Sequence, residues 1–94
     1  MIMNMNTNTN NITLADFGST IAIIINKMAT AWMPNEIKTF SYEFLRIRLC
    51  DYAKEFCLVD EKNFDKYCDL VLGLDDLKMD SFRTAMIEYS KVMH

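Results

Sequence analysis

From Leu14 onward, apolar residues return every three or four positions in four successive blocks, and little interrupts them: one proline, Pro34, and two glycines, Gly18 and Gly73. Long tracts with that period and few breakers predict amphipathic helices packed on one another. The expected fold is all-α, a compact four-helix bundle-like single domain over residues 13–94, with helices near 14–32, 36–58, 61–72 and 75–92. Residues 1–12 alternate Met, Asn and Thr with no period. Asn and Thr favour local side-chain-to-backbone bonds over helix, so a flexible tail is expected there.

Local signals place the boundaries. Thr13 reads as an N-cap with Asp16 three residues on as the capping acid. Leu14, Phe17, Ile21, Ile24, Ile25, Met28 and Trp32 then form one stripe, while Ile23 points the other way among Asp16, Ser19, Asn26, Lys27 and Thr30. Pro34 ends the first helix and Asn35 starts the next. That second helix is expected to carry two apolar stripes. Tyr42, Leu45, Leu49, Tyr52 and Phe56 make one, and Ile37, Phe40, Phe44 and Ile47 make the other. Asp60 is expected to cap the third helix and Gly73 to close it as a C′ residue. Either Asp75 or Asp80 can cap the fourth, so a kink or restart near Met79–Ser81 is expected.

Composition narrows the possibilities. Half of the 94 residues are apolar (51%), enough for a core without staples, and a charged fraction of 24% is that of an ordinary globular domain. The net charge of −3 is unevenly spread. Residues 1–50 hold three acids against four bases, and residues 51–94 ten against six. Asp60, Glu61, Asp65, Asp69, Asp75, Asp76 and Asp80 fall within one short stretch of the second half. Acids near helix starts stabilise the macrodipole, and Asp/Lys pairs decorate solvated faces. The same run can also steer a basic partner or imitate a phosphate backbone. Cys50, Cys57 and Cys68 are an odd number without framework spacing, so structural, reduced thiols are expected. The start lacks the basic flank and continuous apolar stretch of an export signal, and the apolar window Ile21–Ile25 is far short of a membrane span. A soluble, cytoplasmic protein is expected, in the host cytoplasm if the source is viral.

Chemistry-bearing motifs are thin. Asp80-Ser81-Phe82, after Leu77-Lys78-Met79, resembles the Asp-Ser-Leu/Phe signature of acyl and peptidyl carrier proteins. That resemblance implies a serine at a helix start, here Ser81, bearing a phosphopantetheine arm. It covers about six residues. Lys78 stands where that family usually has glycine, and only thirteen residues follow Ser81, too few for the two helices that complete the carrier fold. The third and fourth helices also have the spacing of a helix-turn-helix. The element that would enter a groove begins with Asp75, Asp76 and Asp80, which phosphates repel. No phosphate loop or zinc-ligand set is present, and the single histidine is the terminal His94, so no enzyme activity, metal or cofactor is expected.

What remains is an apolar inventory larger than four short helices can hide, adding Ile23, Leu70, Leu72 and Ile87 to the second stripe of helix two. The expected function is therefore a small acidic protein-interaction module, an adaptor or inhibitor of a larger machine such as phages and mobile elements encode. It would self-associate or dock a protein partner, possibly one that itself binds nucleic acid. The expected contacts are Ile23, Ile37, Phe40, Phe44 and Ile47, with the acidic run as a second face. The alternative is an oligomeric transcriptional regulator using Lys38, Arg46, Arg48 and Lys54.

Overall fold

Thr13 does open the first element, but it starts one 3-10 turn, Leu14–Phe17, rather than a helix. Its backbone N–H donates to Asp16 Oδ2 at 2.7 Å, the reciprocal half of the expected box. This is a computed structural model, and it describes residues 12–94. The tail expected over residues 1–12 lies outside the described residues except for Ile12. The described chain is all-α, as expected, with five helices rather than four: α1 Gly18–Ala31, α2 Pro34–Thr39, α3 Tyr42–Glu55, α4 Glu61–Leu72 and α5 Asp76–Met93.

The difference in helix count comes from residues 36–58, which do not form one helix. Pro34, at the first helical position of α2, tolerates its missing N–H. Phe40 and Ser41 then turn extended. The Ser41 hydroxyl accepts the Phe44 backbone N–H at 3.0 Å and restarts the chain as α3. At the far end, α3 closes on Cys57 in the left-handed region, φ 52°. The Leu58 N–H bonds the Ala53 carbonyl at 2.9 Å and the Cys57 N–H bonds that of Lys54 at 3.2 Å. This is the paired closure in which glycine is usual, because a Cβ in that conformation costs about 1–2 kcal/mol. Cys57→Gly is accordingly expected to raise stability by roughly 0.5–1 kcal/mol, after the added freedom of the unfolded chain is subtracted. An unchanged or lower urea midpoint for that variant would contradict the strain.

Gly73 ends α4, but not by a left-handed turn: its φ is −93°. A Cβ there would meet the Asp69 carbonyl oxygen at 3.2 Å, so close approach is what favours glycine. Asp75 caps α5 by accepting the Lys78 N–H at 2.8 Å. Asp80 and Ser81 lie inside α5, which runs through Met79–Ser81 without the expected restart.

The core draws on every helix: Ile24, Ile25 and Met28 of α1, Ile37 of α2, Leu45, Leu49 and Ala53 of α3, Tyr67 and Val71 of α4, Met79 and Met86 of α5. Helices α1, α2 and α3 all pack on α5, while α4 packs on α3 and on the 3-10 turn. Tyr67, fully buried, donates its hydroxyl to the Leu49 carbonyl at 2.8 Å and meets the Phe17 ring edge-on at 5.1 Å. Aromatic edge contacts of this kind add to plain area burial.

The four connections between helices share one device. Each has a carbonyl left over from a helix end or turn, and a side chain from elsewhere in the chain donates to it. Ser90 reaches the Trp32 carbonyl at 2.7 Å and Arg83 that of Phe40 at 2.9 Å. Thr20 reaches the Leu58 carbonyl at 3.1 Å, and Arg46 reaches that of Leu74 with two nitrogens at 3.0 and 2.7 Å. Helix ends leave such acceptors unpaired, and burying one unbonded costs about 1–3 kcal/mol. The bonds thus fix where each helix stops relative to its neighbours.

Candidate protein-interaction face

The break at Phe40–Ser41 divides the expected contact stripe. Ile37 is 0% exposed and belongs to the core, so the reading of it as a contact residue is corrected. Apolar surface already covered inside one chain has nothing left to offer a partner. Phe40 and Phe44 are half-buried, 4.6 Å apart by ring centroid, and stand edge-on to Trp32 at 5.3 and 6.4 Å. Ile47 is exposed on α3. The four residues therefore do not form one exposed stripe: Ile37 is enclosed, Phe40 and Phe44 pack on each other and on Trp32, and Ile47 is exposed.

Ile23, 43% exposed, is different. It stands on the outer side of α1, a ridge that also presents Ala22, Asn26, Lys27 and Thr30. Shallow grooves run along both flanks of this ridge. One is lined by Ile23, Asn26, Lys27, Thr30, Tyr52 and Phe56, the other by Ala22, Ile25, Asn26, Ala85, Tyr89, Val92 and Met93. Phe56 is 42% exposed, Tyr89 50% and Val92 86%. The Lys27 ammonium lies 4.1 Å from the Phe56 ring centroid, and the Arg48 guanidinium lies over the Tyr52 ring at 5.4 Å. Lys27 is the one charged residue lining either groove. Aromatic rings, methionine and arginine around a mostly uncharged centre are the composition in which protein interfaces are enriched. The sequence placed Asn26, Lys27 and Thr30 beside Ile23; the neighbours that come from α3 and α5 are ones no local pattern could bring to α1.

The acidic run divides as well. All seven carboxylates are exposed, but several are engaged within the chain. Asp75 caps α5, Asp76 pairs with Arg46 at 2.9 Å, and Asp80 pairs with Arg83 at 2.9 Å. Asp60 accepts from the Asn63 side chain at 3.2 Å. Among the described residues, no basic side chain is within ion-pair distance of Glu61, Asp65 or Asp69, all on α4.

Two of the four basic residues of the regulator reading are engaged within the chain. Arg46 is a largely buried brace for the α4–α5 turn, and Arg48 pairs with Asp51. That leaves Lys38 and Lys54 from the set of four. Ser81 sits within α5 rather than at its start, with its hydroxyl donating to the Leu77 carbonyl at 3.3 Å, unlike the serine of the carrier signature. A ring nitrogen of His94 lies 3.2 Å from the Thr30 carbonyl. Among the described residues, no three His, Cys, Asp or Glu side chains gather where they could hold a metal ion, and no helix is long and apolar enough to cross a membrane.

Two weak acids packed in or against the core are shifted furthest. Burial pushes the Cys50 thiol up to about 12 from 9.0, with the neighbouring Cys68 and Asp51 adding to it. Burial likewise raises the Tyr67 hydroxyl above its ordinary 10.0. Both groups stay neutral in the fold after they would have ionised in the unfolded chain. Their contribution to stability is therefore complete below about pH 9 and is lost as pH rises through the window to about pH 12. The urea midpoint is expected to hold level up to about pH 9 and then fall. Tyr67→Phe should flatten part of that fall, and an equally steep decline in the variant would contradict the assignment.

No protein-family model, curated protein or solved structure matches the chain.

Proposed function

We propose that the protein is a non-enzymatic interaction module, an adaptor or inhibitor, that assembles as a pair of identical chains through the outer side of α1. The observation that carries this reading is the ridge between two apolar grooves. Such a relief is self-complementary: with two copies related by a twofold axis, the Ile23 ridge of each seats in a groove of the other. The size fits a modest dimer. A 14-residue α1 is about 21 Å long, and one helix spacing on either side makes the face about 20 Å wide, a projected footprint of roughly 400 Å². Surface relief enlarges the true contact toward the lower end of stable interfaces, near 600 Å² per partner. Pairing should therefore be concentration-dependent rather than obligate. The free acids of α4 lie outside this face, where they are available to steer a basic partner protein.

The apolar reading is favoured over a nucleic-acid mimic because Asp75, Asp76 and Asp80 are already engaged inside the chain. A dilution series followed by amide NMR tests it. Signals of residues 22–30, 52–56 and 89–93 should move together with concentration, with little change when salt is raised. Shifts confined to α4, or abolished by salt, would instead assign the contact to the acidic residues.

A further inference from the structure

Met93, the last residue of α5, lines the second groove beside the Ile23 ridge and is 47% exposed. Its sulfur lies against the ridge itself. The hydroxyl of Thr30, a residue lining the first groove, is 2.9 Å from Met93 Sδ. His94 holds this end of α5 in place: its backbone N–H donates to the Ser90 carbonyl at 2.9 Å and its ring lies 3.2 Å from the Thr30 carbonyl. The other methionines differ. Met28, Met79 and Met86 are fully enclosed, and Met33, 49% exposed, lines neither groove. Among the described residues, Met93 is thus the one methionine that is both open to solvent and part of the proposed contact. We propose that Met93 is a reversible oxidation site, at which a small hydroperoxide makes a sulfoxide that weakens pairing through α1. The inference rests on the pairing proposed above and supplies its regulation.

The step needs only the peroxide. A lone pair of Met93 Sδ attacks one peroxide oxygen, the O–O bond breaks and an S=O bond forms. With hydrogen peroxide, the second oxygen leaves with both protons as water. The sulfur loses two electrons and the peroxide gains two. A flexible apolar side chain becomes a polar one, and a weak acceptor becomes a strong one. When a second copy covers the groove, the sulfoxide oxygen loses its water and needs a donor. The nearest hydroxyl is already shared: Thr30 has one proton to give, and the Asn26 carbonyl is equally close at 2.9 Å. The incoming Ile23 side chain brings no donor in return. The coupling is reciprocal, because a contact that the sulfoxide weakens also shields the sulfur once it has formed. The oxidant therefore acts on the single chain.

The test is to treat the folded, full-length chain with hydrogen peroxide at low concentration, quench with free methionine, map the oxidised residues by mass spectrometry and measure pairing by sedimentation velocity. Met93 and Met33 should gain oxygen first, while the enclosed Met28, Met79 and Met86 stay unmodified. Pairing of the oxidised chain should be weaker by roughly tenfold, the cost of covering one poorly partnered polar group. Treatment with methionine sulfoxide reductases of both epimer specificities should restore it. Met93→Leu keeps an apolar side chain in the groove, so it should pair like the natural chain and be unaffected by peroxide. A natural chain that pairs unchanged with Met93 oxidised would overturn the proposal, as would a folded chain whose Met93 resists peroxide. An equal loss of pairing in peroxide-treated Met93→Leu would assign the effect to another methionine and overturn it too. An untreated chain that stays single at every concentration would instead remove the pairing reading itself, and this inference with it.

Discussion

Replacing Ile37 with Asp is expected to unfold the protein. Ile37 is fully enclosed among core side chains of the other helices, so a carboxylate there is buried without a partner. The loss should be about 4 kcal/mol or more, against a total of about 5–15 kcal/mol for a domain of this size. Helical circular dichroism at room temperature should collapse or the urea midpoint should fall to a small fraction of its normal value. Ile37→Val, which removes one methylene, should cost only about 1 kcal/mol and keep the fold. A folded Ile37→Asp chain with lost self-association would mean that the residue lies at a contact after all.

Ile23→Asp is expected to do the opposite. The side chain is on the surface of α1, and surface substitutions away from special features usually shift stability by under about 0.5 kcal/mol. Helicity and the thermal midpoint should therefore stay near the natural protein's. Pairing should weaken at least about thirtyfold, the effect of removing a central interface anchor worth about 2 kcal/mol. The twofold arrangement makes the effect larger, since each pair would carry two new carboxylates near its axis. Sedimentation equilibrium on both chains measures this directly. Unaltered association in a folded Ile23→Asp chain would remove α1 from the interface.

The contrast between these two isoleucines shows how far the sequence was legible. The apolar period identified an all-helical domain, the α1 stripe of Ile21, Ile24, Ile25 and Met28, and the caps at Thr13 and Asp75. It did not separate α2 from α3. Ile37, Phe40, Phe44 and Ile47 keep helical spacing across the break, so a pattern count treats them as a second face of one helix. A helix with two apolar faces was itself the sign of a junction, and Ser41 supplied the cap, but local spacing cannot tell a rotated stripe from a restarted one. Once the chain turns at Phe40, Ile37 swings into the core and much of the apparent surplus is absorbed.

The rest depended on contacts between residues far apart in the chain. Ser90 is a polar residue on a helix whose apolar positions include Met79, Phe82 and Met86, yet it is fully buried, and its hydroxyl donates to the Trp32 carbonyl. Arg46 reads as a DNA-contacting base, but it braces the turn at Leu74, as Arg83 does that at Phe40. Met93 continues the seven-residue repeat of Met79 and Met86 but stays half-exposed beside Thr30, because α5 outruns the core at its C-terminal end. The two grooves likewise have no signature in any one segment. They exist because α3 and α5 flank α1 and each brings an aromatic residue to its side.

The central claim is that one chain leaves the Ile23 ridge and its two flanking grooves open, and that a second copy covers them. Sedimentation velocity of the purified full-length protein, from about 1 µM to several hundred micromolar, tests it most directly. The account predicts a mass that climbs from one chain to two across that range and keeps doing so at high salt. A single-chain mass at every concentration, with the Ile23 ridge still open to solvent, would contradict it.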